Sequence, residues 1–130
     1  MSGDPRLGVT VTHRRYVPHG HAHYAGSLVD GAYALGLFGD AATEVCMRTD
    51  GDEGLLAGYS SVVFAAPVRA GDVVEVTARV SRVGRRSRTL ELRCAVVCRR
   101  RPDLGPSAAE VLDPPLVAVT ATGTVVVPGR

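Results

Sequence analysis

The sequence predicts an α+β fold in which an antiparallel sheet wraps around one long central helix. Three observations carry that expectation. One continuous apolar helical stretch follows Ser27. Val alternates with polar residues through most of the chain after position 60. Only one segment is then left to cover the apolar face of the sheet. At 130 residues the chain forms a single domain, 1–130, with one core.

The elements follow in order. Residues 8–16 alternate Val9 and Val11 against Thr10 and Thr12, the pattern of a first strand. Residues 18–26 form a loop. The helix is expected to start near Ser27 or Leu28, with Ser27 as N-cap, and to end near Arg48 or Thr49 at the Asp50–Gly54 acidic stop. At 100° per residue, Leu28, Ala32, Leu35, Phe38, Ala42 and Cys46 share one side. Asp30, Tyr33, Asp40, Glu44 and Arg48 collect opposite, with Leu37 and Ala41 among them. Strands are expected over 59–64, 73–83, 89–98 and 116–127, with a hairpin turn at Gly84-Arg85-Arg86. Residues 101–115 read as a Pro-rich loop with one helical turn at 108–112. A small sheet around one helix is the hotdog arrangement, and its open edges lead to dimerisation by edge pairing.

Composition narrows the function. The formal net charge of +2 is too small to imply a nucleic-acid partner, although nine Arg residues cluster between Arg79 and Arg101. No apolar run reaches membrane-spanning length, so no membrane partner is expected. Cys46, Cys94 and Cys98 are odd in number and contain no CxxC, which points to a reducing cytoplasm. Cys94 and Cys98 sit four apart on one strand face and read as core thiols, not metal ligands.

Three places carry chemistry. The small-residue run Ala25-Gly26-Ser27, followed by Asp30-Gly31, puts free N–H groups and the positive dipole end of a helix where a developing oxyanion could approach. The same small residues would also permit tight helix–sheet packing. Asp40 and Glu44 lie at i and i+4, so each can raise the other's pKa and the pair can act as acid and base. A solvated face with carboxylates paired to Arg48 explains that spacing as well. His21, His23 and Tyr24 precede the helix as proton carriers or donors. The HGHAH spacing alone, without an adjacent acid or Cys, does not make a metal site. The Asp50–Glu53 acids are too short a run for an EF-hand, and Glu53 is a candidate to hold a cationic group at the cleft mouth.

HYAGSLVDGA, LFGDAATE, DGDEGL, FAAPVRAGDVVEVTARV, VGRRSR, SAAEVLDPPLV and ATGTVVVP together resemble the 3-aminoacyl-CoA ammonia-lyases, which are hotdog proteins. The likeness runs from about His21 to Pro128. FxAPVxAGD and VGxxSR are general to acyl-CoA hotdogs, whereas DGDEGL and SAAEVLDPP are closer to the lyases. Two positions depart from the pattern: His21 stands where an acid is expected, and Ser27 where Asn is usual. The resemblance implies elimination of ammonia from a 3-aminoacyl-CoA, or its reverse, with no cofactor beyond the CoA of the substrate. It implies catalytic work by Asp40, His23 and Tyr24, to which the i, i+4 spacing adds Glu44. For such a substrate, the helix-start chemistry places contacts at Gly26, Ser27, Asp30 and Gly31, and Glu53 is the candidate to hold its ammonium. The resemblance also implies CoA contacts at Gly84, Arg85, Ser87 and Arg88, whose forked guanidinium groups suit phosphates. A carrier-protein thioester would present the same phosphopantetheine. The expected assembly is a homodimer that builds a hexamer. Two alternatives use the same groove: an acyl-CoA thioesterase that directs water at the carbonyl, and a non-catalytic acyl-thioester binding module.

Overall fold

Val74, Val76, Ala78 and Val80 point to one side of their strand and are buried, while Glu75, Thr77 and Arg79 point to the other. This period of two, repeated by Leu90, Leu92, Cys94 and Val96 on the next strand, builds a sheet with one apolar face. The computed structural model describes residues 3–129. It contains β1 (Thr10–Tyr16), α1 (Gly31–Asp50), β2 (Leu55–Phe64), β3 (Val73–Val83), β4 (Ser87–Arg100) and β5 (Ala109–Val126). The strands form one antiparallel sheet in the order β1-β3-β4-β5-β2. Register aligns the inner face across strands, with Ala78 opposite Leu92 and Leu92 opposite Ala121. The helix lies on that face, so the expected hotdog arrangement is the observed one.

The helix begins later than its sequence suggested. Asp30, not Ser27, is the N-cap, and its carboxylate accepts the Tyr33 N–H. Ser27 lies in the left-handed region at φ 63°. Leu28 and Val29 are extended because they bridge to Arg69 and Ala22, and the Val29 N–H donates to the Val68 carbonyl. Tertiary pairing therefore claims residues that helix periodicity alone would extend into. At the other end, Gly51 adopts φ 62° and its N–H returns to the Met47 carbonyl, which stops the helix.

The buried face is Ala34, Phe38, Ala41, Ala42, Val45 and Cys46, rotated from the expected one by roughly 60° on a 100° wheel. Ala32 is exposed and Ala41 is fully buried, the reverse of the expectation. The small side chains of Ala34, Ala41 and Ala42 let the backbone approach a Val-rich sheet, with Leu35 and Leu37 packing at the flanks.

Residues 109–112 are strand, not the expected helical turn. They pair with the end of β4, Val111 opposite Cys98 and Glu110 opposite Arg99. Pro114 and Pro115 fall where the register shifts between Val96 and Cys98, so their missing N–H groups cost no ladder bond.

Two buried charged residues, Asp72 and Arg88, mark two ionic anchors. Arg88 donates to both oxygens of Asp50, at 3.1 and 2.6 Å, and to the Gly84 and Ser87 carbonyls. The last turn of α1 is thereby fastened to the β3–β4 hairpin. This corrects the expectation that Arg88 contacts CoA, since its guanidinium is buried and fully engaged. Burial raises the Asp50 carboxyl, but hydrogen bonds from Arg88, Thr49 and Arg6 outweigh that and hold it below its ordinary value of 3.8. A carboxyl with a depressed folded pKa stabilises above its unfolded pKa and loses that contribution as pH falls through the folded value. Arg88→Leu should therefore lower the unfolding free energy by about 3 kcal/mol in urea titrations at pH 7. Asp50→Asn should flatten the loss of stability below pH 4, measured by the same titrations from pH 7 down to pH 2.

Candidate active site

A cleft of about 450 Å³ opens at the N-terminal end of α1. One wall is the chain entering the helix, Leu28 to Gly31, and the other is the run Phe64 to Val68 that leaves β2. Ala34 and Val119 also line it, and Tyr24 stands at its rim. Its lining is mostly apolar, with the Asp30 carboxylate the only charged side chain among the residues that line it. A helix leaves its first N–H groups without intrahelical partners. Asp30 takes that of Tyr33, which leaves those of Gly31 and Ala32 at the positive end of the helix dipole. Phe64 roofs this point closely, because a Cβ at Gly31 would lie 2.6 Å from its ring. Glycine is needed there to let the ring and the helix start share the space.

Imidazoles and phenols gather around the mouth. The second Asp30 oxygen is 3.9 Å from His23 Nδ1, and the His23 and Tyr24 rings meet edge to face at 4.6 Å. His21 packs on Tyr33 at the same centroid distance, and burial raises the Tyr33 hydroxyl above its ordinary pKa. A carboxylate, a proton carrier and a phenol are thus arranged beside an apolar slot with free N–H donors. Such a site can hold a cation, move a proton and stabilise a developing oxyanion.

The structure brings together only part of the expected set. Tyr24, Asp30 and Gly31 line the cleft, and His23 sits beside Asp30. Gly26, at φ 74°, and Ser27 form the left-handed turn before it and are not in its lining, although the Ser27 carbonyl accepts the Ala70 N–H. Asp40 is exposed, on the side of α1 away from the sheet. Ten residues along the helix, it lies about 15 Å from Asp30. Glu44 does not pair with it. Its two oxygens take His13 Nε2 at 2.8 Å and Arg48 Nε at 2.7 Å. Those two bonds, His13 first, hold the Glu44 carboxyl below its ordinary value, the opposite of the mutual raising expected from the spacing.

Glu53, Gly84, Arg85, Ser87 and Arg88 belong to the other end of the helix. The 20-residue α1 separates them from the cleft by about 30 Å. Glu53 therefore does not stand at the cleft mouth as expected. A second, polar depression of about 620 Å³ lies there, lined by Asp50, Asp52, Arg6, Arg85, Arg86 and Arg88. Arg85 and Arg86 are its exposed cations, whereas Arg6 and Arg88 are engaged with Asp4 and Asp50. The Gly84 N–H bonds the Ser87 carbonyl and closes the hairpin.

Sequence reasoning missed five participants. Phe64, Ala65 and Pro67 form a cleft wall within a motif that was read only as a family marker. His13 binds Glu44 from 31 residues away, so no local spacing announces it. Tyr33 lay in the polar set but gave no sign of its contact with His21.

A family model described as the thioesterase superfamily matches residues 26–96. The 3-aminobutyryl-CoA ammonia lyase of Acetoanaerobium sticklandii is 49% identical over 107 residues, covering 82% of this chain and 85% of that protein. Among solved structures, the β-alanyl-CoA:ammonia lyase from Clostridium propionicum superposes with a TM-score of 0.89 at 33% identity, covering 95% of this chain and 87% of the other. A hexameric hotdog fold thioesterase of Campylobacter jejuni superposes at 0.72 with 18% identity, covering 95% and 82%, a likeness of fold alone.

Because the Glu44 carboxyl is depressed on folding, its contribution is present above its ordinary value of 4.5 and fades as pH falls through the folded value. Glu44→Gln should thus leave a shallower dependence of stability on pH between 5 and 3. Chemical denaturation across that range checks it, and a profile parallel to that of the unaltered protein would contradict the His13 tie.

Proposed function

The chain belongs to the thioesterase superfamily and, within it, to the 3-aminoacyl-CoA ammonia-lyases, and from that premise we propose that it eliminates ammonia from a 3-aminoacyl-CoA to give a 2-enoyl-CoA, or runs the reverse addition. The observation that carries this reading is the Asp30 carboxylate at the mouth of an otherwise apolar cleft, beside the free N–H groups of a helix start. A plain acyl chain offers nothing for that charge, whereas a substrate ammonium does.

In this reading the thioester oxygen accepts from the Gly31 and Ala32 N–H groups, which stabilise it as the enolate forms. The Asp30 carboxylate, with His23 and Tyr24 near it, holds the ammonium on C3. A base removes a proton from C2, the C2–C3 double bond forms, and the C3–N bond breaks with its electrons leaving on nitrogen as ammonia. Asp40 is the base we favour. It is exposed and has no hydrogen bond or ion pair among the described residues. Since it cannot reach the cleft of its own chain, it acts in the cleft of a second protomer. Glu44, tied to His13 and Arg48, sets the helix surface around Asp40 and does not itself carry the proton.

The same geometry supports assembly. β2 is an edge strand whose Leu55, Val63 and Phe64 are exposed, which suits pairing with another copy, and dimers would go on to form a hexamer. The CoA phosphates would then rest on Arg85 and Arg86 of the hairpin, with Gly84 and Ser87 shaping the turn. No resident cofactor is assigned, and a carrier-protein thioester is an alternative form of the same substrate. No helix among the described residues is long and apolar enough to cross a membrane, and the three free thiols fit a cytoplasmic setting.

Incubation of the purified protein with crotonyl-CoA or acryloyl-CoA, with and without ammonia, tests the reading by mass spectrometry. Ammonia-dependent 3-aminoacyl-CoA is the expected product. Free CoA released without ammonia would instead establish the thioesterase that the superfamily also contains. Asp30→Asn keeps a good helix cap but removes the charge, so its kcat should fall by about 10²–10³ while its melting temperature stays within a degree or two. Gly31→Ala should push Phe64 into the cleft. We expect KM to rise about tenfold, with stability unchanged or slightly higher because Ala favours helix, and Gly31→Ala/Phe64→Leu should recover most of the loss.

A further inference from the structure

Asp72 is almost completely buried, at 1% exposure, yet it touches no part of the cleft directly. Its two oxygens receive Arg99 Nε at 3.0 Å and Arg99 Nη2 at 2.8 Å, a bidentate fork from β4. The same Arg99 Nη2 donates to the Pro67 carbonyl at 2.9 Å, and the Arg69 N–H donates to Asp72 at 2.7 Å. The pair therefore grips both ends of the segment 67–69, and Pro67 and Val68 are cleft wall.

That segment in turn holds the opposite wall. The Val68 carbonyl accepts from the Val29 N–H at 3.0 Å, and the Ala70 N–H donates to the Ser27 carbonyl at 2.8 Å. Residues 27–29 run directly into Asp30 and Gly31, where the carboxylate and the free N–H donors are. A continuous set of hydrogen bonds thus leads from a buried ion pair on the sheet to the start of the helix. Leu28 and Val29 have no helical support of their own; the strap at 67–70 holds them on one side, and residues 22–24 hold them on the other through the Ala22–Val29 bridge and the His23 and Tyr24 N–H groups on the Leu28 carbonyl.

We propose that Asp72 and Arg99 are positioning residues for the cleft: together they fix the strap 67–70 and, through it, the carboxylate and N–H donors of the helix start. The proposal rests on the lyase reading for its kinetic consequence, but its geometric part stands independently. A displacement of about 1 Å in such a site costs on the order of 10²-fold in rate, so a pair that never touches substrate can govern kcat.

The test uses Arg99→Gln, Arg99→Lys and Asp72→Asn in the full chain, with kcat and KM for 3-aminobutyryl-CoA, melting temperature and amide hydrogen exchange. Arg99→Gln should lower kcat at least tenfold with little change in KM. The Val29 and Ala70 amides should exchange at least tenfold faster while those of the central strand β4 keep their protection. Lys cannot fork onto Asp72 and reach the Pro67 carbonyl together, so Arg99→Lys should recover the activity only in part. Arg99→Lys also keeps the comparison open should Arg99→Gln or Asp72→Asn fail to fold. Unchanged exchange at Val29 and Ala70 in a folded variant overturns the proposal, as does a kcat that falls only in proportion to the folded fraction. Faster local exchange in a protein whose unaltered form shows no ammonia-lyase turnover supports the positioning pair and overturns the lyase reading instead.

Discussion

Everything else in this protein depends on burying one helix face against one sheet face with small side chains. Among the described residues Phe38 is the only fully buried aromatic side chain, and it is buried with Val45, Leu90 and Leu92. Removing such a side chain from water contributes about 1.5–3 kcal/mol each, and among the described residues one helix and one sheet carry that burial. The packing is close because Ala34, Ala41 and Ala42 carry little bulk on the helix, while Val and Ala dominate the sheet. A sheet that must curve around one helix has no room for larger residues on both partners. The same closeness explains why the apolar cleft lies where the helix begins, beyond the last fully packed turn.

The two ends of the helix are held by different means, and the contrast separates stability from chemistry. At the C-terminal end, the Asp50–Arg88 pair and the Gly51 turn satisfy the helix and leave no charge of that pair free. At the N-terminal end, Asp30 satisfies one N–H and keeps an oxygen turned toward His23. A helix start left partly unsatisfied beside an apolar slot is costly in isolation and useful to an anionic intermediate. The strap held by Asp72 and Arg99 provides the rigidity that such an arrangement needs.

Distance along the helix also shapes the functional reading. The cleft and the Arg-bearing hairpin lie at opposite ends of α1, and Asp40 faces outward between them. Within one chain these groups stand about 15–30 Å apart along the helix. In the proposed reading, the exposed edge of β2, next to Phe64 and the cleft wall, is where a second copy brings them together.

Much of this was legible from sequence because it follows from local periodicity. The strand alternation of 73–83 is a period of two, the hairpin at Gly84 is turn chemistry, and one long helix with nothing else to cover a sheet leaves few architectures. Asp30 and Gly31 stood out as part of the helix start, but the cap falls on Asp30 and not on Ser27 as the sequence suggested. Tertiary structure decided what depends on partners distant in sequence. His13 took Glu44 out of the expected carboxylate pair. Asp50 took Arg88 away from any phosphate. Val68 drew Val29 out of the helix, and Cys98 drew Val111 into a strand. Sequence determined the order of one strand, one long helix and four strands, and the inward face of β3, because those are set by neighbours along the chain. Only the folded structure decided which charges are free to act, because a charge is consumed by whichever opposite group the fold places beside it.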